Sequence, residues 1–236
     1  MGKWHIFPNK TGTRNAINCD KLKKQKISSV FIDDFMQDKI DNNVPIEIRN
    51  QIEKALNMLA NEYPEFFDVG LNLERLSFMK NPPGKAIHGS ASEEGEMIIY
   101  EEAMFCYHSE ESTNFSIPRN GSEGTVFHEL GHIIHYTRSK YIISKVKCLY
   151  NSPRKSVNKA YREWRKQGNI GFRNCFKKTI SKYAAKTSKP YDAFAESFVA
   201  HLLAPERNKS AELVMNHFHK KGGKSNASKF SRTQIL

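Results

Sequence analysis

The chain has 236 residues and a formal net charge of +12, from 37 lysines and arginines against 25 aspartates and glutamates. This length can bury a substantial core, so one domain with tails is the simplest organisation. No stretch approaches the roughly 18 consecutive apolar residues of a membrane span. The four cysteines show no CxxC spacing, so neither a zinc ribbon nor a disulfide framework is indicated.

The charge is distributed unevenly along the chain. Residues 1–30 carry a net charge of +6, residues 31–111 carry −11 and residues 112–236 carry +17. These opposite charges can attract each other within the fold, so the net charge alone does not establish an outside partner. The first six residues lack the apolar core of a signal peptide. We therefore expect a cytoplasmic protein, or one that is exported without a leader.

The first part of the chain predicts an arm, a helix and a small sheet. Residues 1–29 are polar and rich in lysine, and we expect them to form an arm with little regular structure. Residues 46–62 have apolar positions at helical spacing, and Pro64 is expected to end that helix. Short apolar runs predict strands at 71–73, 76–78, 85–90 and 97–101. The last run is the candidate edge strand for pairing with a substrate backbone, although an interior position fits it equally well.

The residues His128, Glu129 and His132 form an HExxH motif. Residues four apart on an α-helix lie about 40° apart around its axis, so both imidazoles can reach one metal ion from the same side. Glu129 lies at the flank of this pair, where its carboxylate can take a proton from water on the metal. Apolar residues occupy the other face of the helix: Val126, Phe127, Leu130, Ile133 and Ile134. This pattern predicts an amphipathic helix with its histidine face towards a cleft.

A catalytic zinc site needs a third protein ligand and an open position for water. The best candidate is Glu196, because a lone carboxylate on an apolar helix is costly to bury unless it has a partner such as a metal. Asp192, one turn earlier, is the candidate for orienting a ligand histidine. These two roles could be exchanged. His135 shares the histidine face, but a fourth protein ligand would close the open position, so we expect it at the edge of the cleft.

The phrases SKYA at 181–184 and YDAFAESF at 191–198 resemble the second signature of gluzincin metallopeptidases. That family includes the catalytic domain of anthrax lethal factor and related phage and bacterial metallopeptidase domains. The resemblance covers roughly residues 120–205 and implies Zn²⁺ bound by His128, His132 and Glu196. It also implies that Tyr183 stabilises the oxyanion, with Tyr191 as the alternative phenol. The chain departs from the family in having Asp192 where glutamate is commoner.

The expected fold class is α+β and zincin-like, with a small mixed sheet packed on the HExxH helix and a second zinc-ligand helix, followed by a mostly helical second half. We expect a zinc metalloendopeptidase that hydrolyses peptide bonds by metal-activated water, with Glu129 as general base. One alternative is a repressor-cleaving HELGH peptidase of phages and mobile elements, which the phrase FVAHLLAP at 198–205 also resembles. Another is a non-enzymatic nucleic-acid or virion-associated protein with a structural zinc. The resemblance and the richness in lysine and asparagine favour a phage or bacterial effector setting.

The predicted domain comprises residues 30–208 and contains a basic helical insertion at 139–181. Within the basic stretch 154–182, Val157, Tyr161 and Trp164 have helical spacing, which predicts an apolar stripe under a cationic outer face. That face is either a solvated surface or a binding surface for an acidic partner or nucleic acid. Apart from these partners, we expect a protein or peptide substrate and no membrane. Residues 209–236 are predicted to form a basic, flexible tail.

Overall fold

The computed structural model describes residues 4–8, 14–18, 35–108, 114–117, 119–140, 145–187 and 189–220. The strands are β1 (Trp4–Pro8), β2 (Arg14–Asn18), β3 (Arg75–Met79), β4 (Gly89–Ala91), β5 (Glu96–Tyr100), β6 (Tyr107–His108) and β7 (Arg119–Asn120). The helices are α1 (Ile46–Glu62), α2 (Glu65–Asp68), α3 (Glu123–Lys140), α4 (Lys145–Leu149), α5 (Pro153–Lys166), α6 (Arg173–Ile180), α7 (Lys182–Lys186), α8 (Tyr191–Leu203) and α9 (Lys209–Phe218). A short 3₁₀ helix spans Glu101–Phe105. Together these elements form an α+β fold, and none of the described helices combines the length and apolar character needed to cross a membrane.

Helix α1 has the bounds that the sequence predicts. Ile48, Ile52, Leu56 and Leu59 recur at a spacing of three and four residues, and all four are fully buried. Pro64 lies just beyond the last turn and cannot continue the helix, because it lacks the amide hydrogen that the next turn requires. The helical prediction for residues 46–62 is therefore confirmed.

A three-stranded mixed sheet lies between α1 and α3 in the chain. Its strand order is β3-β5-β4, with β3 parallel and β4 antiparallel to the central strand β5. The predicted strand at 97–101 is thus interior, and β4 is the outer strand on its side. Residues 71–73, where the sequence predicts a strand, have no regular secondary structure and lie just before β3. Gly95 makes the β4–β5 turn with a φ of 94°, and a Cβ there would lie 2.8 Å from the carbonyl oxygen of Asn72.

Helices α3 and α8 pack closely because a glycine lies at their crossing. A Cβ on Gly131 would lie 3.0 Å from the Cα of Ala195 and 3.2 Å from its Cβ, which is tighter than ordinary van der Waals contact. The apolar face predicted for α3 is buried, with Phe127, Leu130 and Ile134 each fully covered. The close approach brings the polar residues of α8 next to the histidine face of α3.

The insertion between α3 and α8 is helical, as predicted. In α5, Val157, Ala160 and Trp164 face the core, and the predicted Tyr161 is half-buried against it. Ser152 caps this helix by accepting a hydrogen bond from the backbone N–H of Lys155. The opposite face of α5 carries six cationic side chains: Arg154, Lys155, Lys159, Arg162, Arg165 and Lys166. The predicted apolar stripe under a cationic face is therefore confirmed for this helix.

Both ends of the chain contain more regular structure than the sequence predicts. Strands β1 and β2 form an antiparallel pair within the predicted N-terminal arm. Helix α9 lies within the predicted C-terminal tail, and it buries Ala211, Val214, Met215 and Phe218 against the core. These residues have helical spacing, but the surrounding lysines and asparagines make the segment polar on average. Packed structure therefore continues past residue 208 to the end of α9, while residues 221–236 lie outside the described part of the chain.

A buried histidine links three helices on the far side of α8. His201 is fully buried, with its Nδ1 2.9 Å from Oε1 of Glu212 in α9 and its Nε2 3.9 Å from Oε1 of Glu62 in α1. Burial alone would lower the pKa of His201, but these two carboxylates raise it to about 9. The charged imidazole therefore stabilises the packing of α1, α8 and α9.

Candidate metal centre

Two imidazoles of α3 and one carboxylate of α8 converge on one point. The Nε2 atoms of His128 and His132 lie 3.2 Å apart. Oδ1 of Asp192 lies 3.8 Å from the first nitrogen and 3.5 Å from the second. Among the described residues, this is the group of histidine, cysteine and acidic side chains whose ligand atoms could hold a metal ion.

The spacing of these three atoms fits a tetrahedral metal ion. Zinc–nitrogen and zinc–oxygen distances near 2.0 Å in a tetrahedral site place neighbouring ligand atoms roughly 3.3 Å apart. The three separations between His128, His132 and Asp192 range from 3.2 to 3.8 Å. Two imidazoles and one carboxylate are also the type of donor set that zinc takes in catalytic sites. The residues present therefore fit this ion.

Glu196 lies next to these three side chains, but it contacts the opposite edge of the His128 ring, at Nδ1. Its Oε1 is 2.9 Å from Nδ1 of His128, and its Oε2 accepts a hydrogen bond of 2.6 Å from the backbone N–H of Ser116. Both carboxylate oxygens are thus engaged, and the side chain is fully buried. By accepting the Nδ1 hydrogen, Glu196 leaves the lone pair of His128 Nε2 towards the metal position.

The geometry therefore favours the exchange of roles that the sequence leaves open. The sequence predicts Glu196 as the third ligand and Asp192 as the residue that orients a histidine. The structure instead brings Asp192 to the two Nε2 atoms and Glu196 to Nδ1 of His128. The reason is the crossing of α3 and α8, because the first turn of α8 lies opposite the ligand nitrogens and its second turn lies behind His128.

The carboxylates of Asp192 and Glu196 favour the positively charged form of the His128 imidazole. Burial would lower the pKa of His128, but Asp192 and Glu196 together raise it to about 9. Burial would likewise raise the pKa of Asp192, yet the nearby imidazoles of His128 and His132 and a hydrogen bond from Thr187 hold it well below its usual range. Thr187 donates a hydrogen bond of 2.7 Å to Oδ2 of Asp192. The same excess of negative charge favours a divalent cation at this position.

Glu129 lines a cleft together with His128. The cleft has a volume of about 350 Å³, and its walls come from the segment before β4, from α3 and from α7. Strand β4 approaches Glu129 closely at Gly89, where a Cβ would lie 2.8 Å from Cγ and Oε1 of the glutamate. Gly89 thus lets an outer strand of the sheet run directly over the predicted general base.

The two candidate phenols occupy different places. Tyr183 lines the cleft together with His128 and Glu129, and its ring centre lies 5.4 Å from that of His128. Tyr191 stacks on His135 with ring centres 4.2 Å apart. Tyr183 is therefore the phenol beside the cleft, and the half-buried His135 lies against Tyr191. Burial lowers the pKa of His135 to about 4, with smaller contributions from His132 and Arg138.

Three supporting residues were missed by the sequence analysis. Ser116 donates its backbone N–H to the Glu196 carboxylate and its hydroxyl to the Glu196 carbonyl oxygen, and no sequence pattern links two residues 80 positions apart. Thr187 lies five positions before Asp192 at the C-terminal end of α7, and nothing in the local sequence pattern indicates its contact with Asp192. Gly89 lies in a short strand, and a glycine in a strand can indicate the close approach of another group. Only this last residue could have been found from the sequence.

No protein-family model, curated protein or solved structure compared with this chain matches it. The resemblance to gluzincin metallopeptidases remains an expectation drawn from the motifs at 128–132 and 181–198. The convergence of His128, His132 and Asp192 does not depend on that resemblance. It is a spatial contact between residues of two helices that are distant in sequence.

Proposed function

We propose that this chain is a zinc metalloendopeptidase with a zincin-like fold. In this proposal His128, His132 and Asp192 hold the zinc ion, Glu129 is the general base, and the substrate is a protein or peptide. The observation that carries the proposal is the meeting of the two Nε2 atoms, 3.2 Å apart, with Oδ1 of Asp192 at 3.5 and 3.8 Å. Three protein ligands leave a fourth tetrahedral position for water or substrate, as hydrolysis requires.

The roles of the protein side chains follow from where they lie. When bound, zinc would act as a Lewis acid that polarises a carbonyl group and makes water more acidic. Glu129 lines the same cleft as His128, and its carboxylate would take a proton from the attacking water and pass it to the leaving amine. Tyr183 would donate a hydrogen bond to the carbonyl oxygen as negative charge develops there. Glu196 would hold the ring of His128 in place through Nδ1.

The outer strand β4 supports a peptide as the substrate. Among the described strands, β4 pairs with β5 alone, and Gly89 brings its backbone next to Glu129. An extended peptide can add to such a strand through backbone hydrogen bonds, which would carry its carbonyl groups past the general base. A backbone-directed contact of this kind fits peptide bonds better than it fits other hydrolysable groups.

The test measures bound zinc per chain and the cleavage of a mixed peptide library. We expect about one zinc per wild-type chain and cleavage of some peptides. Glu129→Gln should keep the zinc and lose cleavage, while Asp192→Ala should lose both. Glu123→Gln is the matched control, because it makes the same chemical change in the first turn of the same helix, where Glu123 pairs with Lys54. This control should bind zinc and cleave as the wild type does.

Two results would contradict the proposal. If the wild-type chain binds no zinc at micromolar concentrations, the metal assignment is wrong. If Glu129→Gln cleaves as fast as the wild type, the assigned general base is wrong even where zinc is bound.

The control has its own outcome. Cleavage lost equally in Glu129→Gln and in the control Glu123→Gln would show that the loss reflects damage to α3 and that Glu129 has no special role.

A further inference from the structure

The loop between α5 and α6 exposes two large apolar side chains. Ile170 is 93% exposed and Phe172 is 83% exposed, and they flank Gly171. Isolated apolar residues are common on protein surfaces, but two neighbouring side chains of this size with almost complete exposure are unusual. We call residues 167–172 the apolar loop.

The apolar loop is held in its conformation by specific contacts. The hydroxyl of Tyr161 donates a hydrogen bond of 3.0 Å to the carbonyl oxygen of Gly171, and Nδ2 of Asn169 donates one of 2.9 Å to the carbonyl oxygen of Trp164. Gly171 has a φ of 145°, and a Cβ there would lie 2.9 Å from Cβ of Cys175. The fold therefore fixes the outward position of Ile170 and Phe172.

Cationic side chains surround the apolar loop. Arg165 and Lys166 end α5 just before it, and Arg173 begins α6 just after it, with all three exposed. The outer face of α5 adds a groove of about 340 Å³ lined by Arg154, Lys155, Lys159 and Arg162, together with Ser152 and Asn158. Glu163 is the one acidic residue between positions 145 and 187, and its carboxylate lies 2.6 Å from Nε2 of His217. The surface therefore attracts anions.

We propose that the apolar loop and the cationic face of α5 bind the surface of an anionic lipid membrane. Ile170 and Phe172 would enter the boundary between headgroups and acyl chains, and Arg165, Lys166 and Arg173 would contact lipid phosphates. The sequence predicted no membrane partner because it has no apolar span, but binding to a membrane surface requires none. This proposal does not depend on the proposed peptidase activity.

A lipid surface fits the loop better than a nucleic acid does. A single-stranded nucleic acid would use Phe172 as a platform for stacking a base, but the aliphatic side chain of Ile170 has no aromatic face to offer. The acyl boundary accepts aliphatic and aromatic side chains together and requires no matching pocket. The combination of an apolar pair and surrounding cations therefore favours anionic lipid.

The test is flotation of the full chain with vesicles of phosphatidylcholine, either alone or with about 30% phosphatidylserine. The double variant Ile170→Ser, Phe172→Ser removes the apolar pair. Phe105→Ser is the matched control, because Phe105 is also 71% exposed but lies in a 3₁₀ helix with Glu101 and Glu102. We expect the wild type and the control to bind anionic vesicles, with the double variant at least about tenfold weaker. Binding to neutral vesicles should be at least about tenfold weaker for all three proteins.

Three outcomes would overturn the proposal. The first is a wild-type chain that does not float with the anionic vesicles. The second is a double variant that binds them as tightly as the wild type. The third is binding of a single-stranded oligonucleotide that is lost in the double variant while vesicle binding is absent, because this would identify nucleic acid as the partner. Circular dichroism of the double variant, unchanged from the wild type, would show that its loss of binding reflects the missing side chains.

Discussion

The two carboxylates of α8 give the sharpest test of the candidate metal centre. Glu196→Gln and Asp192→Asn each replace one carboxylate oxygen by an amide nitrogen, and the two residues lie one helical turn apart. If Asp192 is the ligand and Glu196 orients His128, the two changes should weaken zinc binding to different degrees. The sequence alone predicts the opposite order, with Glu196 as the ligand.

The expected magnitudes follow from the contacts. Both oxygens of Glu196 accept hydrogen bonds, from Nδ1 of His128 and the N–H of Ser116. A glutamine can accept only one of them, which leaves a buried donor facing an NH₂ group at a cost of about 1–3 kcal/mol. Changes to residues that orient a ligand histidine typically weaken metal binding by about 10- to 100-fold. Sharing about 10–16 kcal/mol of zinc binding among four ligands, the water included, gives roughly 2.5–4 kcal/mol for Asp192, or about 70- to 900-fold in affinity.

The assay is competition for zinc with a chromophoric chelator at constant pH. We expect the dissociation constant to rise by about 10- to 100-fold in Glu196→Gln and by about 70- to 900-fold in Asp192→Asn. Thermal unfolding of the metal-free variants separates damage to the fold from loss of a ligand. If Glu196→Gln abolishes zinc binding while Asp192→Asn stays within about tenfold of the wild type, the roles assigned from the geometry are wrong.

The other predictions concern the cleft and the buried histidine. Tyr183→Phe should lower kcat by about 100- to 1,000-fold with zinc content unchanged, whereas Tyr191→Phe should have little effect; equal losses in both variants would contradict the assignment of the phenol. Gly89→Ala should lower kcat while zinc stays bound, because the new Cβ would lie 2.8 Å from the side chain of Glu129 and push it out of place. An unchanged kcat would show that the backbone of β4 moves instead of Glu129. His201→Gln should lower the free energy of unfolding by about 3 kcal/mol at pH 6, the linkage value for a pKa raised from 6.5 to about 9. This contribution is fully present below pH 6.5 and is lost as the pH rises through about 9, so denaturant unfolding of wild type and variant should converge at pH 10; a constant difference would refute the linkage.

The parts of the fold that the sequence predicts are those determined by local patterns. Helix α1 is defined by apolar residues at positions three and four apart and by the proline that follows it. The HExxH helix and the basic helix α5 show the same kind of periodicity. Strand pairing is less local, and β5 could be assigned to the centre of the sheet only once β3 and β4 were seen on either side of it.

In the candidate site, too, the sequence predicts what lies within one helix but not how two helices meet. His128 and His132 share one helix, so their common direction follows from helix geometry alone. Asp192 and Glu196 also share one helix face, and periodicity cannot decide which of them meets the metal. That choice depends on where α8 crosses α3, which is set by the contact between Gly131 and Ala195. A crossing shifted by one helical turn would exchange the two roles.

The candidate ligands also come from widely separated parts of the chain. His132 and Asp192 are 60 positions apart, and the helices α4 to α7 lie between them. An ion held by both residues would cross-link the chain across that interval, as a disulfide does, and would reduce the conformational freedom of the unfolded state. By the relation used for disulfides, closing a loop of this length stabilises the folded state by about 4 kcal/mol. Adding or removing the ion would thus raise or lower the stability of the whole segment between His132 and Asp192, which includes the apolar loop.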